Sequence, residues 1–270
     1  PLNQDLLSLY YTKAMFAAKC LMVPTTYAEM TTAAQALTDK SKGIAGFVGR
    51  GVKNANLPPY TTILLGYDQE TISKDGKTLL MDTPDAIAAA EYYKKLMRET
   101  APPGVVGFNW NESQTTFSQA RAAMWIDGVG FSAPLVDPTK SKVVQDAGFA
   151  VVPAGTKGHY TSTFVDGIGI ARGTKNKGAA WLYTQWATSK PLCLEMLRTG
   201  SGTPARASSY EDEGVKKASA FPAEWFTTVN ASLKIARSGL PVIVAVTEFR
   251  DVFGIALTNM INGADPATEL

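Results

Sequence analysis

The chain has 270 residues, 45% of them hydrophobic and 19% charged, enough to bury a sizeable core as one large domain or two smaller ones. Its 26 basic and 24 acidic residues leave a formal net charge of +2, and no Lys/Arg run exceeds two residues, so the basic stripe that nucleic acid requires is absent. Apolar runs such as Leu240 to Val246 fall far short of the roughly 20 residues of a membrane helix, and the first twenty residues carry neither a charged n-region nor a cleavage site.

Leu6 to Tyr11 forms an apolar, β-rich run that belongs inside a sheet, and Lys13 to Lys19 has helical composition. Val23-Pro24 breaks that helix. Thr25-Thr26 then supplies an N-cap with Glu29 three positions on, which predicts a helix over Tyr27 to Leu37. Gly43 to Val48 reads as a short buried strand ending in Gly49-Arg50-Gly51, and Leu57 to Tyr67 as a helix opened by paired prolines. Lys74-Asp-Gly-Lys77 is a turn. Thr83-Pro84-Asp85 starts a helix to about Arg98, because Thr caps, Pro suits the first helical position and Ile87, Ala90, Tyr93, Leu96 and Met97 trace one apolar face.

Ala101-Pro-Pro-Gly104 ends that helix, Asn111 or Ser113 caps a short one, and Ala122 to Ile126 is a strand. Gly148 to Pro153 is another, and Ser162 to Ala171 a longer one. Helices are predicted over Gly178 to Thr188, Pro191 to Arg198, Tyr210 to Ala220, Ala223 to Ala236 and Thr247 to Asn262. Short strands alternating with helices predict an α/β protein.

Few motifs carry chemistry. Cys20 and Cys193 have no CxxC or His spacing for zinc and read as small apolar fillers, so no metal and no cofactor is expected. The one histidine, His159, lies in the loop Gly155-Thr-Lys-Gly-His-Tyr160, which excludes a Ser–His or Cys–His apparatus unless that loop is the site. Gly167, Gly169 and Gly173 miss the dinucleotide spacing and fit better as small residues where a strand passes close beneath a ligand or a second backbone. Asp5, Asp127 and Asp166 stand near strand ends. They suit a glycosidase pair in principle, and equally helix caps or acceptors for a polar ligand, with Asp127-Gly128 a natural cap for a following helix. Trp110, Phe131 and Phe164 lie beside turns or strand ends, where an aromatic face meets a sugar ring, whereas Trp181, Tyr183 and Trp186 fall on a helix and read as core.

Two blocks carry a family likeness. Phe117 to Gly128 resembles a helix that ends in a "GKAAM" turn before a strand, and Asp166 to Ser189 resembles a strand followed by "SKNKEAAW.F..W..S". Together with Val23-Pro-Thr-Thr-Tyr-Ala-Glu29, Phe47 to Gly51 and Gly202-Thr-Pro-Ala-Arg206, they make the chain similar to the sugar-binding type of extracellular solute-binding protein of ABC importers. Ala101-Pro-Pro-Gly104, Phe108-Asn109, Met124 to Asp127 and Thr247-Glu-Phe249 look most like the mannitol/sorbitol (polyol) binders.

The resemblance implies a class II periplasmic-binding-protein fold, with two lobes joined by a hinge. Residues 1–165 and 237–270 would form the second lobe with the hinge strands, and 166–236 a helical remainder of a first lobe that is otherwise missing. It implies ligand contacts from Asn3, Asp5, Arg50, Trp110, Asp127, Phe164, Asp166, Glu248 and Arg250, with Asp127 facing the Phe164–Asp166 segment across a cleft. Departures from the family pattern at Phe164, Asp166 and Arg250 imply a ligand more polar than a typical hexose, or an acidic one. The implied protein is a periplasmic or extracellular monomer, with lipoprotein anchoring left open. It would capture a carbohydrate and deliver it to an ABC permease without catalysing a reaction. A glycoside-active enzyme using Asp5, Asp127 or Asp166 and a non-transport carbohydrate sensor are the alternatives.

Overall fold

In the computed structural model, which describes residues 1–270, one strand organises the whole architecture. β1 (Asn3–Thr12) is antiparallel to β2 (Met124–Gly128) along one edge, and to β3 (Ala147–Ala150) and β4 (Thr161–Asp166) along the other. β5 (Ala236–Ser238) extends the sheet parallel to β4. The predicted strand at Gly43 to Val48 pairs only through single bridges, Ile44 with Asp39, Ala45 with Ala122 and Val48 with Trp125, and it is buried from Ala45 to Val48 while Gly43 is exposed.

The helices are α1 (Lys13–Ala18), α2 (Tyr27–Leu37), α3 (Leu57–Leu65), α4 (Pro84–Thr100), α5 (Trp110–Ser118), α6 (Lys177–Ala187), α7 (Lys190–Thr199), α8 (Glu213–Ala218), α9 (Ala223–Lys234), α10 (Val246–Asn262) and α11 (Pro266–Glu269). Their starts follow the predicted capping chemistry. Thr26 Oγ1 accepts from the Glu29 N–H, and the Glu29 carboxylate accepts from the Thr25 and Thr26 N–H groups, closing the capping box of α2. Thr83 caps α4 through the Ala86 N–H. α5 departs from expectation: its cap is Asn109, not Asn111 or Ser113, with Glu112 completing a capping box two residues upstream of the predicted start.

The pleat of β1 divides the core in two. Successive side chains of a strand point to opposite faces. Leu7, Leu9 and Tyr11 enter one cluster, with Met30 of α2, Leu64 of α3, Tyr93 of α4 and Leu257 of α10. Leu6 and Tyr10 enter the other, with Trp125, Phe149, Leu197, Tyr210, Trp225 and Phe226.

That second cluster also draws on the segment expected to belong to the first lobe. Within the span 166–236 expected in the first lobe, α7, α8 and α9 contribute Leu197, Val215, Trp225 and Val229 to the cluster that contains Trp125. The Trp225 indole N–H also donates to Ser132 Oγ at 2.8 Å, fixing α9 to the loop after β2. An exposed apolar face remains only earlier in that span. Trp181, Leu182, Tyr183 and Trp186 of α6 are 55–66% exposed, so the reading of these aromatics as core does not hold in this chain.

Two further expectations change. β4 stops at Asp166 rather than Ala171, and a Cβ at Gly167, Gly169 or Gly173 would meet nothing within 4 Å, so no backbone passes closely there. Cys193 is buried, but Cys20 is exposed at a left-handed position and fills no core.

Candidate functional site at the end of the central strand

The bridge from Val48 to Trp125 sets the Gly49–Gly51 turn beside the end of β2. Gly51 is required there, because a Cβ would overlap the Val105 carbonyl. The Tyr93 hydroxyl of α4 donates to the Arg50 carbonyl at 3.3 Å and holds the turn from below. Arg50 then reaches Asp127 as a two-pronged donor, Nε to Oδ2 at 2.9 Å and Nη2 to Oδ1 at 2.5 Å. Asp127 is fully buried and Arg50 only 11% exposed, and Asp127 Oδ1 also accepts from the Gly128 N–H at 2.8 Å. Burial opposes the Arg50 charge, but attraction to Asp127, its hydrogen bonds and attraction to Asp5 together raise the guanidinium's pKa. The carboxylate therefore caps no helix: the turn that follows at residues 129–131 has no side-chain cap.

Asp5 lies on the same edge of β1, in the gap between the last β2 pair, Leu7 with Gly128, and the bridge from Asn3 to Pro204. Its Oδ1 accepts from the Gly130 N–H at 2.9 Å. Burial, the largest influence, pushes its carboxyl pKa up. The Gly130 N–H and Arg50 oppose this, Asp127 and Asp166 add to it, and the result is about 6. Beneath the 128–132 turn, the Tyr10 hydroxyl donates to the Gly128 carbonyl at 2.6 Å, and Ser132 Oγ donates to the Val129 carbonyl at 2.7 Å while accepting from Trp225. These buried bonds hold Gly130 in place for Asp5.

Phe131 on that turn forms an aromatic wall. It stacks on Trp110, ring centroids 5.0 Å apart and planes 13° from parallel, while the Arg50 guanidinium lies 5.3 Å from its centroid. The Gln114 amide of α5 donates to the Phe131 carbonyl at 2.7 Å, and Trp110 remains 39% exposed. An acidic floor beside a flat apolar wall suits a polyhydroxylated ligand, whose C–H faces stack while its hydroxyls donate.

Asp5, Arg50, Trp110 and Asp127 are thus brought together, with Phe131 and the Gly130 N–H joining them. The remaining expected residues sit differently. Asn3 and Asp166 face each other in register across β1 and β4 at the same strand end, Asp166 exposed and the Asn3 side-chain oxygen buried without a donor. Phe164 pairs with Asp5 in register, but its ring is half-buried against the first core and over Gly239, so it offers no open face. Asp127 and the 164–166 segment flank β1 on its two edges. Glu248 and Arg250 lie in the first two turns of α10, which runs along residues 53–56. Glu248 is exposed, Arg250 Nε is buried without an acceptor, and no ion pair or side-chain hydrogen bond joins either to the cluster. Three surface hollows, one of about 270 Å³ between residues 61–76 and 238–243, contain none of these side chains.

The family model of the bacterial extracellular solute-binding proteins matches residues 1–191. The chain belongs to this family. The erythritol/L-threitol-binding protein of Mycolicibacterium smegmatis is 25% identical over 275 residues, covering 96% of this chain and 56% of that protein. The mannitol-binding protein of Pseudomonas aeruginosa is 28% identical over 103 residues, 38% of this chain and 19% of its own. An ABC transporter solute-binding protein from Agrobacterium radiobacter K84, solved in complex with ribitol, superposes with a TM-score of 0.89 at 27% identity, covering all of this chain and 68% of that one. The fold is that of the solute-binding family, class II, and the chain spans 56% of the length of the first of these relatives.

Proposed function

We propose that the protein captures a polyol or related sugar at the Asp5–Arg50–Asp127 floor and delivers it to an ABC permease outside the cytoplasm, without catalysing a reaction. The observation that carries this reading is the pairing of that hydrogen-bonding floor with the stacked Phe131–Trp110 wall. Relatives described as binding erythritol or L-threitol and mannitol, and one solved with ribitol, support the same ligand class. Closure of a second lobe over the ligand, a monomeric state and an anchor at the membrane surface belong to this proposal. So does an interlobe boundary near Asp166, with residues 197–229 assigned to the body that holds the site.

The enzyme alternative is weaker for Asp127, which has no exposed surface and both of whose oxygens are occupied by Arg50, so that it is not free to act as nucleophile or base beside Asp5 or Asp166. A thermal-shift screen of four- to six-carbon polyols, sugars and sugar acids tests the proposal, since a ligand that binds only the native state raises its melting temperature. Polyols are expected to raise it by several degrees. No shift with any carbohydrate, or turnover of a chromogenic glycoside, overturns the proposal.

A further inference from the structure

The charges around Asp5 are unequal. Asp127 and Asp166 repel its carboxylate and Arg50 alone attracts it, while Arg50 is itself already paired with Asp127. The paired edge of that guanidinium is already filled, since Nε and Nη2 both donate to Asp127 while Phe131 covers the ring-facing side. Asp5 Oδ1 takes the Gly130 N–H, and Oδ2 has no protein donor. What the strand end offers a ligand is therefore acceptor oxygen and negative potential. An incoming hydroxyl satisfies both, whereas an incoming carboxylate or phosphate meets a like charge, and the Nε–Nη2 edge of the one guanidinium beside it is already taken by Asp127.

We propose that this site discriminates for uncharged polyhydroxylated ligands against their anionic oxidised or phosphorylated analogues, and that Asp5 sets the discrimination by accepting a ligand hydroxyl and repelling a ligand anion. This rests on the polyol-binding reading above. Of the two ligand types implied by the departures at Phe164, Asp166 and Arg250, it favours the more polar, uncharged one over the acidic one, and the Arg250 side chain makes no ion pair or hydrogen bond with the cluster. Specificity of this kind comes from the unfavourable term as much as from the favourable one.

The test is calorimetric titration of the protein with ribitol and with ribonate, which have equal carbon chains and differ in one terminal group. It is run at pH 7.5, where Asp5 is ionised, in low salt. Ribonate is expected to bind about a hundredfold more weakly than ribitol, as for one uncompensated like-charge contact, and Asp5→Asn is expected to shrink that ratio to about tenfold or less. A purely structural role would weaken both ligands together and leave the ratio unchanged. Because Asp5 is partly buried, Asp166→Asn at an exposed position serves as a second variant and is expected to narrow the ratio several-fold. Ribonate binding as tightly as ribitol, or a ratio unmoved by both substitutions, overturns this inference while leaving polyol binding intact. A protein that binds neither overturns the polyol reading and this inference with it.

Discussion

Gly128 and Asp5 are matched so closely that the glycine Cα takes the space a side chain would need: a Cβ there would overlap both oxygens of the Asp5 carboxyl. The neighbouring carbonyl is pinned by Tyr10 and the carboxyl by Gly130, so neither partner has room to retreat. Gly128→Ala is expected to destabilise the chain by about 1–3 kcal/mol, the usual range for overpacking a tight site. Urea unfolding measures it, and combining Gly128→Ala with Asp5→Gly should recover much of the loss. A neutral Gly128→Ala contradicts the contact.

The Asp5 carboxyl, raised to about 6, makes stability depend on pH in a definite direction. A raised folded-state value means the native state favours the protonated form. Its stabilising contribution is complete below the unfolded value near pH 4 and is lost as pH rises through about 6. Asp5→Asn should therefore stabilise the chain by about 1–2 kcal/mol at pH 7.5, after discounting for partial solvent access, and by close to nothing at pH 4. Melting temperatures at the two pH values decide it, and an equal effect at both contradicts the shift.

Breaking the buried ion pair from one side leaves a charge without a partner. Asp127→Ala or Arg50→Ala is expected to cost about 3–5 kcal/mol, with the double substitution less harmful than the sum of the two. Arg50→Lys should also be costly, since an ammonium cannot reproduce the two-pronged contact. Denaturant titration of the four proteins gives the coupling energy, and additive effects would contradict the pairing.

Removing the aromatic wall should separate binding from folding. Trp110 is 39% exposed, so Trp110→Ala is expected to lower stability little while weakening polyol binding about tenfold through loss of the stacked face. Calorimetry with ribitol reads the affinity, and unchanged affinity would place the ligand elsewhere.

The apolar face of α6 gives a fifth outcome. Trp181 and Trp186 are 55% and 57% exposed, so replacing both with Lys should leave the melting temperature of this chain within about a degree. Dye binding to exposed apolar surface should fall at the same time. A large loss of stability would mean that these side chains pack in solution.

Much of the local structure was legible along the sequence because its causes are local. Thr26 with Glu29, Thr83 with Pro84 and the apolar stripe of α4 act within a few residues, and the helices they predict start where expected. Residues such as Arg50 and Asp127 were nameable because they end recognisable strand-and-turn blocks whose likeness to the family spans much of the chain. Gly128 and Gly130 carried a visible signal too, in Asp127-Gly-Val-Gly-Phe131, but their role depends on Asp5 arriving from a strand 125 residues away from Gly130.

By itself, then, the sequence determined most of the helices, the central strand and the family, because caps, periodicity and turn residues act through short-range hydrogen bonds and side-chain spacing. Tertiary structure decided what the acids do. The register of β1 against β2, and the bridge from Val48, bring Arg50 to a buried Asp127 77 residues away in sequence and make the two a buried ion pair rather than a helix cap. The same packing joined α9 to the core that holds Trp125 and Tyr10, because the bond from Trp225 to Ser132 and burial in that cluster depend on contacts that no local pattern encodes.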